Sequence, residues 1–461
     1  MLRFPLTVKV TGIVPSHIFC MSKPEISRVN LQDWGLPFRL MVIAGACLVG
    51  MVVGATALGL IGMIGYFNDL WAVELPKEIN WADLKYSPWI GLGLLVAALI
   101  AGRLLLLITD GRPRGPADLI LAAQRNEMPE LKNGFLSVGL TVVSVSGGGS
   151  VGMFGPLMHF GGCFSALVSR WSKRIPLNVI MGAGAASAIA AVFSAPIGAA
   201  IFAHEAIIRR FGAFGAGPVV AAAFGAHWVA QMMVGDTRLF HVSNAPLLEM
   251  STLYMAIAVG VLSGLVSVLY IHAVTAMPML ARKTNIPLQW RPLVPAGVLF
   301  VLSPLLPHLL GHGLGTVSMS LAGELSMVLL LTLLALKIGM TSLCIGFGLF
   351  GGVFAPALFI GAMVGGVIDS FVPGVGVSSF AILGAASCIA AVIGAPLASV
   401  LIVFELTGSY EWAVLAMISV VTANQFSRAY AGRSLFDRQL ALRGITLGDD
   451  QLNDRQEAQV R

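Results

Sequence analysis

The strongest constraint on this chain is that it contains itself twice. Gly184-Ala185-Ala186-Ser187, Ile189-Ala190-Ala191-Val192 and Ala195-Pro196 recur as Gly384-Ala385-Ala386-Ser387, Ile389-Ala390-Ala391-Val392 and Ala395-Pro396, in each case 200 positions later. The register holds on both sides. Gly152, Phe154 and Pro156 face Gly352, Phe354 and Pro356, Gly161 faces Gly361, and Glu205 faces Glu405. An ungapped match of this length is an internal duplication, and a period this long has to be found before any local reading is attempted. The fold must therefore place two related halves against each other.

The surrounding composition says where those halves sit. Of 461 residues, 57% are hydrophobic and 11% are charged, and the mean hydropathy is +0.87. A water-soluble chain of this size needs more charge to cover its surface. Apolar runs near the roughly 20 residues that cross a bilayer recur throughout, so the expected class is an all-α polytopic membrane protein. The 53 glycines suit close helix packing. The formal charge of +6 lies mostly in loops and ends, where it reports topology and does not mark a nucleic-acid surface. The five cysteines are scattered, with neither metal-ligand spacing nor a disulfide framework.

Along the chain, residues 1–37 read as a cytoplasmic N-terminal segment without the order of a signal peptide, and Met21 is an alternative start. A first membrane repeat is expected over 38–240, a second over 250–445, and a polar cytoplasmic tail over 446–461. The first span covers 38–66 and the second 89–109. Between them lies an acidic loop with Asp69, Glu74, Glu78 and Asp83; after them comes a basic loop with Arg112, Arg114, Arg125 and Lys132. The positive-inside rule puts the basic loop and both termini in the cytoplasm. Later apolar segments are cut by Gly or Pro, which reads as broken or re-entrant helices whose freed backbone groups are satisfied within protein or by a ligand. Arg209 and Arg210 follow Glu205, whereas the stretch after Glu405 has no basic residue and carries Glu411. Unequal flanks on equivalent segments predict inverted repeats, a common transporter build with the site between the halves.

Two of the duplicated stretches carry chemistry. Gly152-Met153-Phe154-Gly155-Pro156 and Gly351-Gly352-Val353-Phe354-Ala355-Pro356 each end in proline at the start of an apolar run. Proline suits the first helical turn. The neighbouring amides stay unpaired and the helix dipole adds positive charge. Such an end binds a small anion without a fixed cation that would hold it too tightly to conduct.

These segments resemble signatures of the CLC chloride channel and transporter family. Gly351 to Pro356, followed by Gly361-Ala362, looks like its GGxFxP motif, and Gly152 to Pro156 stands where the family has GREGP. Ala195-Pro196 through Glu205 and Gly394-Ala395-Pro396 through Glu405 resemble its two AP…E segments. Lys337 resembles a basic position ahead of the second signature, Arg112 to Pro116 stands at the GSGIP segment, and Gly432 to Leu440 resembles the final segment with its anion-contacting Tyr. The resemblance covers about 38–445. It implies a CLC-type fold of two inverted repeats, a homodimer in the lipid bilayer with one path per subunit, chloride or another small anion as the partner, and no cofactor, metal or nucleic acid. By position, Met153, Phe154 and Gly155 would line an outer site. Val353, Phe354 and Ala355 would supply amides to the central and outer sites.

The departures from the family pattern shape the functional expectation. Phe154 replaces the gating glutamate, and a phenyl ring can block or pack but cannot carry a proton. Ala206 stands where a second proton-path glutamate would follow Glu205. Phe436 replaces the Tyr of the final segment and loses its hydroxyl. The Ser of GSGIP falls on Pro113; a one-residue shift would put Arg112 or Arg114 there instead, and both arginines would raise the anion potential near the inner mouth. Glu205 and Glu405 read as helix-end structural carboxylates, His204 as a packing histidine, His308 and His312 as loop residues near a membrane boundary. His159, one turn after Phe154, is a further candidate for the path. The first functional reading is a passive chloride channel or uniporter without proton coupling, in a prokaryotic inner membrane. A coupled anion transporter using His204 or Glu205, and a non-conducting membrane scaffold, stay open. Enzyme motifs with a metal-binding HExxH, a Cys/His pair or a phosphate loop are absent from the sequence.

Overall fold

The computed structural model describes residues 35–70, 77, 87–169, 175–210, 213–235, 248–371 and 380–447. Nearly all of the N-terminal segment and of the polar tail, including Met21, lies outside these residues. So do Glu74, Glu78, Asp83 and Lys85 of the acidic loop.

The described chain is helical. In the first half α1 is Leu36–Leu70, α2 Pro88–Leu107, α3 Pro116–Arg125, α4 Leu131–Ser146, α5 Phe154–Val168, α6 Leu177–Phe193, α7 Pro196–Phe202 and α8 Ala213–Val234. In the second half α9 is Met250–Lys283, α10 Leu293–Leu302, α11 Leu314–Leu321, α12 Met327–Phe347, α13 Phe354–Asp369, α14 Phe380–Ile393, α15 Pro396–Thr407, α16 Tyr410–Ala431 and α17 Leu435–Ala441. Among the described residues five helices are long and apolar enough to cross a membrane: α1, α2, the Gly215–Val234 part of α8, α9 and α12. The others are too short to cross alone and meet end to end or back to back. The 178–207 run is broken at Ala195-Pro196 and continues from α7 into a π-helical turn, Ala203–Ile208. The 378–406 run is broken at the same place two hundred positions on. Proline causes both breaks, because it cannot donate to the preceding turn.

The repeated glycines are packing contacts. A Cβ built on Gly161 would collide with the Gly184 backbone, and one on Gly361 with the Gly384 backbone. Small residues thus let α5 lie on α6 and α13 on α14 at backbone distance.

Two contacts join the halves through equivalent residues. Gly152 N–H donates to Gly352 O (2.8 Å), and Gly352 N–H donates back to Gly152 O (2.6 Å). The carboxylate of Glu405 accepts from Ile197 N (2.9 Å) and Gly198 N (2.7 Å) at the start of α7. Glu205 accepts from Leu397 N (3.2 Å) and Ala398 N (2.9 Å) at the start of α15. Each repeat therefore caps the other's broken helix, which satisfies orphan amides inside the membrane. The two carboxylates are structural, as their position at helix ends implies.

Candidate functional site

The site is built on the two helix starts. Leu157 N closes the first turn of α5 on Met153 O (3.0 Å), and Ala357 N closes that of α13 on Val353 O (3.0 Å). The amides of Phe154 and Gly155, and of Phe354 and Ala355, precede those bonds and stand off the helix ends. Gly155 and Gly352 are nearly in contact: a Cβ on Gly352 would lie 2.9 Å from Gly155 N. A side chain at Gly352 would collide with this backbone and one at Gly155 would press on Pro116 (3.2 Å), so the two starts converge on one region.

That region is closed by phenyl rings. Phe154 is 3% exposed. Its ring meets Phe193 edge-on at 4.8 Å and Phe354 edge-on at 5.9 Å, and Phe193 lies 5.2 Å from Phe354. Edge-to-face packing is the favoured geometry for such rings. Phe193 comes from the end of α6, immediately before the break. Its repeat equivalent is Ile393, one of several aromatic departures from the duplication, so the sequence alone did not mark it.

Below the rings lies a cavity of about 390 Å³. Pro113, Val353 and Phe436 line it, with Gly351, Gly352, Pro116 and the side chains of Arg112, Arg282, Arg291 and Arg443. Asp118 is the acid in this wall, and it is already paired with Arg112 (2.9 Å) and Arg443 (2.8 Å). The cavity is therefore positively charged overall. Of the eight positions expected to line the path, three stand in this wall. Met153, Phe154, Gly155, Phe354 and Ala355 are buried at its closed end.

One expectation needs correction. Arg114 does not face the cavity. Its guanidinium is buried against Asp110 (3.1 Å) and Glu130 (2.9 Å), and its amide donates to Ser137 Oγ (2.7 Å). Burial works against its charge, but the hydrogen bonds to Asp110 and Glu130 outweigh that and hold its pKa above the ordinary arginine value. Two carboxylates consume the charge that was expected to attract anions. Arg112, and Arg282 and Arg291 of the next basic connection, take that role.

The remaining candidates are placed as follows. Ala206 is buried in the π-helical turn, and its carbonyl accepts from Arg209 Nε (3.3 Å). His204 sits in the same turn with Nδ1 2.9 Å from Arg210 O. His159 is buried beside Cys163 (Nε2 to Sγ 3.5 Å) and Gly134 and does not line the cavity. Lys337 is fully buried in α12, its ammonium donating to Gly311 O (3.1 Å) and Leu309 O (3.4 Å) and lying 4.9 Å from the Phe359 ring centroid.

A second cavity, of about 270 Å³, opens elsewhere, lined by Asn68, Asp69, Ile90, Gly147, Gly148, residues 307–308 and residues 310–316. Ile90 near the start of α2 is in this wall, whereas Leu105 near its end is in the wall of the first cavity. Fifteen helical residues separate them, about 22 Å, so the two cavities lie at opposite ends of a spanning helix. Gly148 faces one and its repeat equivalent Gly348 the other. Equivalent positions that open to opposite sides are what inverted repeats produce. α13 links the cavities: Val353 is in the first wall, and Phe359 packs against Gly313 of the second. Six residues span about 9 Å, and the phenyl cluster stands at the start of that interval.

Residues 93–428 match the family described as voltage gated chloride channel. The chain belongs to this family. Its members are channels or transporters and not enzymes. The voltage-gated ClC-type chloride channel ClcB of Escherichia coli is 25% identical over 374 residues, which cover 78% of this chain and 89% of that protein. A CLC-type fluoride/proton antiporter shares the fold with a TM-score of 0.73 at 21% identity, over 88% of this chain and 99% of that one. A slow cyanobacterial Cl⁻/H⁺ antiporter does so with a TM-score of 0.70 at 19% identity, over 86% and 96%. The all-helical, multi-pass membrane fold expected from the composition and the recurrent apolar runs is thus the fold found.

Proposed function

We propose that the chain is a passive path for chloride or a similar small anion, working as a homodimer in the inner membrane with its arginine-lined cavity toward the cytoplasm. The carrying observation is the phenyl cluster at the meeting point of α5 and α13, where Phe154 packs on Phe193 and Phe354. A ring cannot exchange places with an anion as a carboxylate can, and it cannot carry a proton. Wetting and dewetting of such a constriction is one way a pore is gated. The amides of Phe154, Gly155, Phe354 and Ala355 would hold the anion, and Met153, Val353, Pro113 and Phe436 would shape its approach.

Supporting this, Glu205 and Glu405 are engaged with helix-start amides, and Ala206 offers no acid. Arginine-lined cavity walls on one side agree with the positive-inside rule. A second reading, exchange of the anion for protons, is favoured by two structural neighbours that are anion/proton antiporters. It would need a route through His204 or another buried group.

Chloride efflux from liposomes tests the conducting reading, with Phe154→Ala beside the wild type. Efflux in both, faster in the variant, supports a ring constriction. No efflux from either folded protein overturns conduction and leaves a membrane scaffold.

A further inference from the structure

The second cavity has features that the phenyl cluster does not explain. It is formed at the N-terminus of α11, where Gly313 is the N-cap and Leu314 N donates to His312 Nδ1 (3.1 Å). Val317 N closes the first turn on Gly313 O (3.1 Å), so the amides of Gly315 and Thr316, both in the cavity wall, precede the helical bonding. Thr316, a residue of the same wall, is 1% exposed, and its Oγ1 has no hydrogen-bond partner. Leaving a buried hydroxyl unpaired is unfavourable, and a ligand would relieve that.

Directly behind this wall is a cation without a counter-charge. Lys337 makes no ion pair among the described residues, and its ammonium is held by two carbonyls, one of them Gly311 O in the cavity wall. A Cβ built on Gly313 would lie 3.4 Å from Lys337 Nζ. One layer of backbone therefore separates the charge from the space. A buried charge is expensive unless it is paired. Asp69 also reaches this cavity, but it is exposed to solvent at the rim, where water and salt screen it.

We propose that this cavity is a second anion-binding site, taking one small, partly dehydrated anion of the halide class on the amides of Gly315 and Thr316 and the hydroxyl of Thr316. Lys337 supplies the field. The site stands on the membrane face opposite the arginine-lined cavity and would collect anions before they meet the phenyl rings. That role in transport rests on the conducting reading above; occupancy does not.

Crystals of the full chain grown in bromide test it by anomalous diffraction, together with Lys337→Met and Thr316→Val. A bromide peak within hydrogen-bond reach of Gly315 and Thr316 in the wild type, lost in Lys337→Met and weakened in Thr316→Val, is the expected result. If Lys337→Met fails to fold, Thr316→Val decides, because the substitution is isosteric and removes the donor alone. No peak in this cavity overturns the proposal, as does a peak unchanged in the folded variants, which would be an adventitious ion only. A peak here in a protein that passes no chloride would leave the site standing and remove the conducting reading instead.

Discussion

At the scale of single residues, Phe154 decides most. Its ring takes part in two aromatic pairs, each contributing about 0.5–1.5 kcal/mol beyond burial. Removing the ring lowers a barrier made from those contacts by about 1–3 kcal/mol, so Phe154→Ala should speed chloride flux by roughly 5- to 150-fold. The same change empties a core position and should cost about 3–5 kcal/mol of stability, read as a lower melting temperature in detergent. Wild-type flux should be flat with pH across the range of about 5 to 8 where histidine titrates. Phe154→Glu should make it pH-dependent, with flux falling as pH rises, since the ionised carboxylate takes the anion's place. A second residue-scale prediction concerns acid stability. Glu130 stands at the N-cap position of α4, and its hydrogen bond from the Asn133 side chain, followed by that from Arg114, holds its pKa below the ordinary glutamate value despite some burial. Its stabilisation is fully present above the unfolded pKa of about 4.3 and fades as pH falls through the lower folded value. Glu130→Gln should therefore unfold with a shallower dependence on pH in that window, measured by thermal melts.

At the scale of elements, α17 is held in the site by ion pairs. Arg209 leaves the π-helical turn next to Ala206 and reaches Asp437 at 2.6 Å, both side chains buried. Asp437 Oδ2 also accepts from Ser434 Oγ (2.6 Å), and Arg443 ties the end of the helix to Asp118 (2.8 Å). Phe436, adjacent to Asp437, is thereby fixed in the cavity wall. Breaking a buried pair from one side leaves an uncompensated charge and costs about 3–5 kcal/mol. Arg209→Gln should lower the melting temperature and also shift the chloride-to-nitrate permeability ratio, a readout that loss of stability alone would leave unchanged. The Arg209→Asp, Asp437→Arg double variant should restore part of both. This clamp was not legible in the sequence, because its partners are far apart in the chain and only the folded contact relates them. The broken helices were legible, since Ala195-Pro196 and Ala395-Pro396 end one turn and start another by proline chemistry alone. The carboxylates at their far ends were legible as structural, but not the exchange by which each caps the other repeat. Glu405→Ala should cost about 0.5–2 kcal/mol as a lost helix cap.

At the scale of the whole molecule, the duplication carried the fold. Two copies with unequal charged flanks predicted inversion, and the pairing of Gly152 with Gly352 and the opposite exposure of Gly148 and Gly348 give it a physical form. What the sequence hid is three-dimensional. Arg114 reads as a free cation until Asp110 and Glu130 are seen around it. Lys337 reads as a basic position ahead of the second signature until its burial behind the second cavity, with no ion pair among the described residues, is visible. Two cavities on opposite faces, separated by about a turn and a half of helix with three phenyl rings between them, are the features on which the proposed passive anion path rests. The most direct measurement is parallel recording of chloride and protons from liposomes holding a chloride gradient against an opposing pH gradient. Chloride should run down its gradient while protons show no uphill movement, in the wild type and faster in Phe154→Ala. Protons driven uphill by chloride would contradict a passive path.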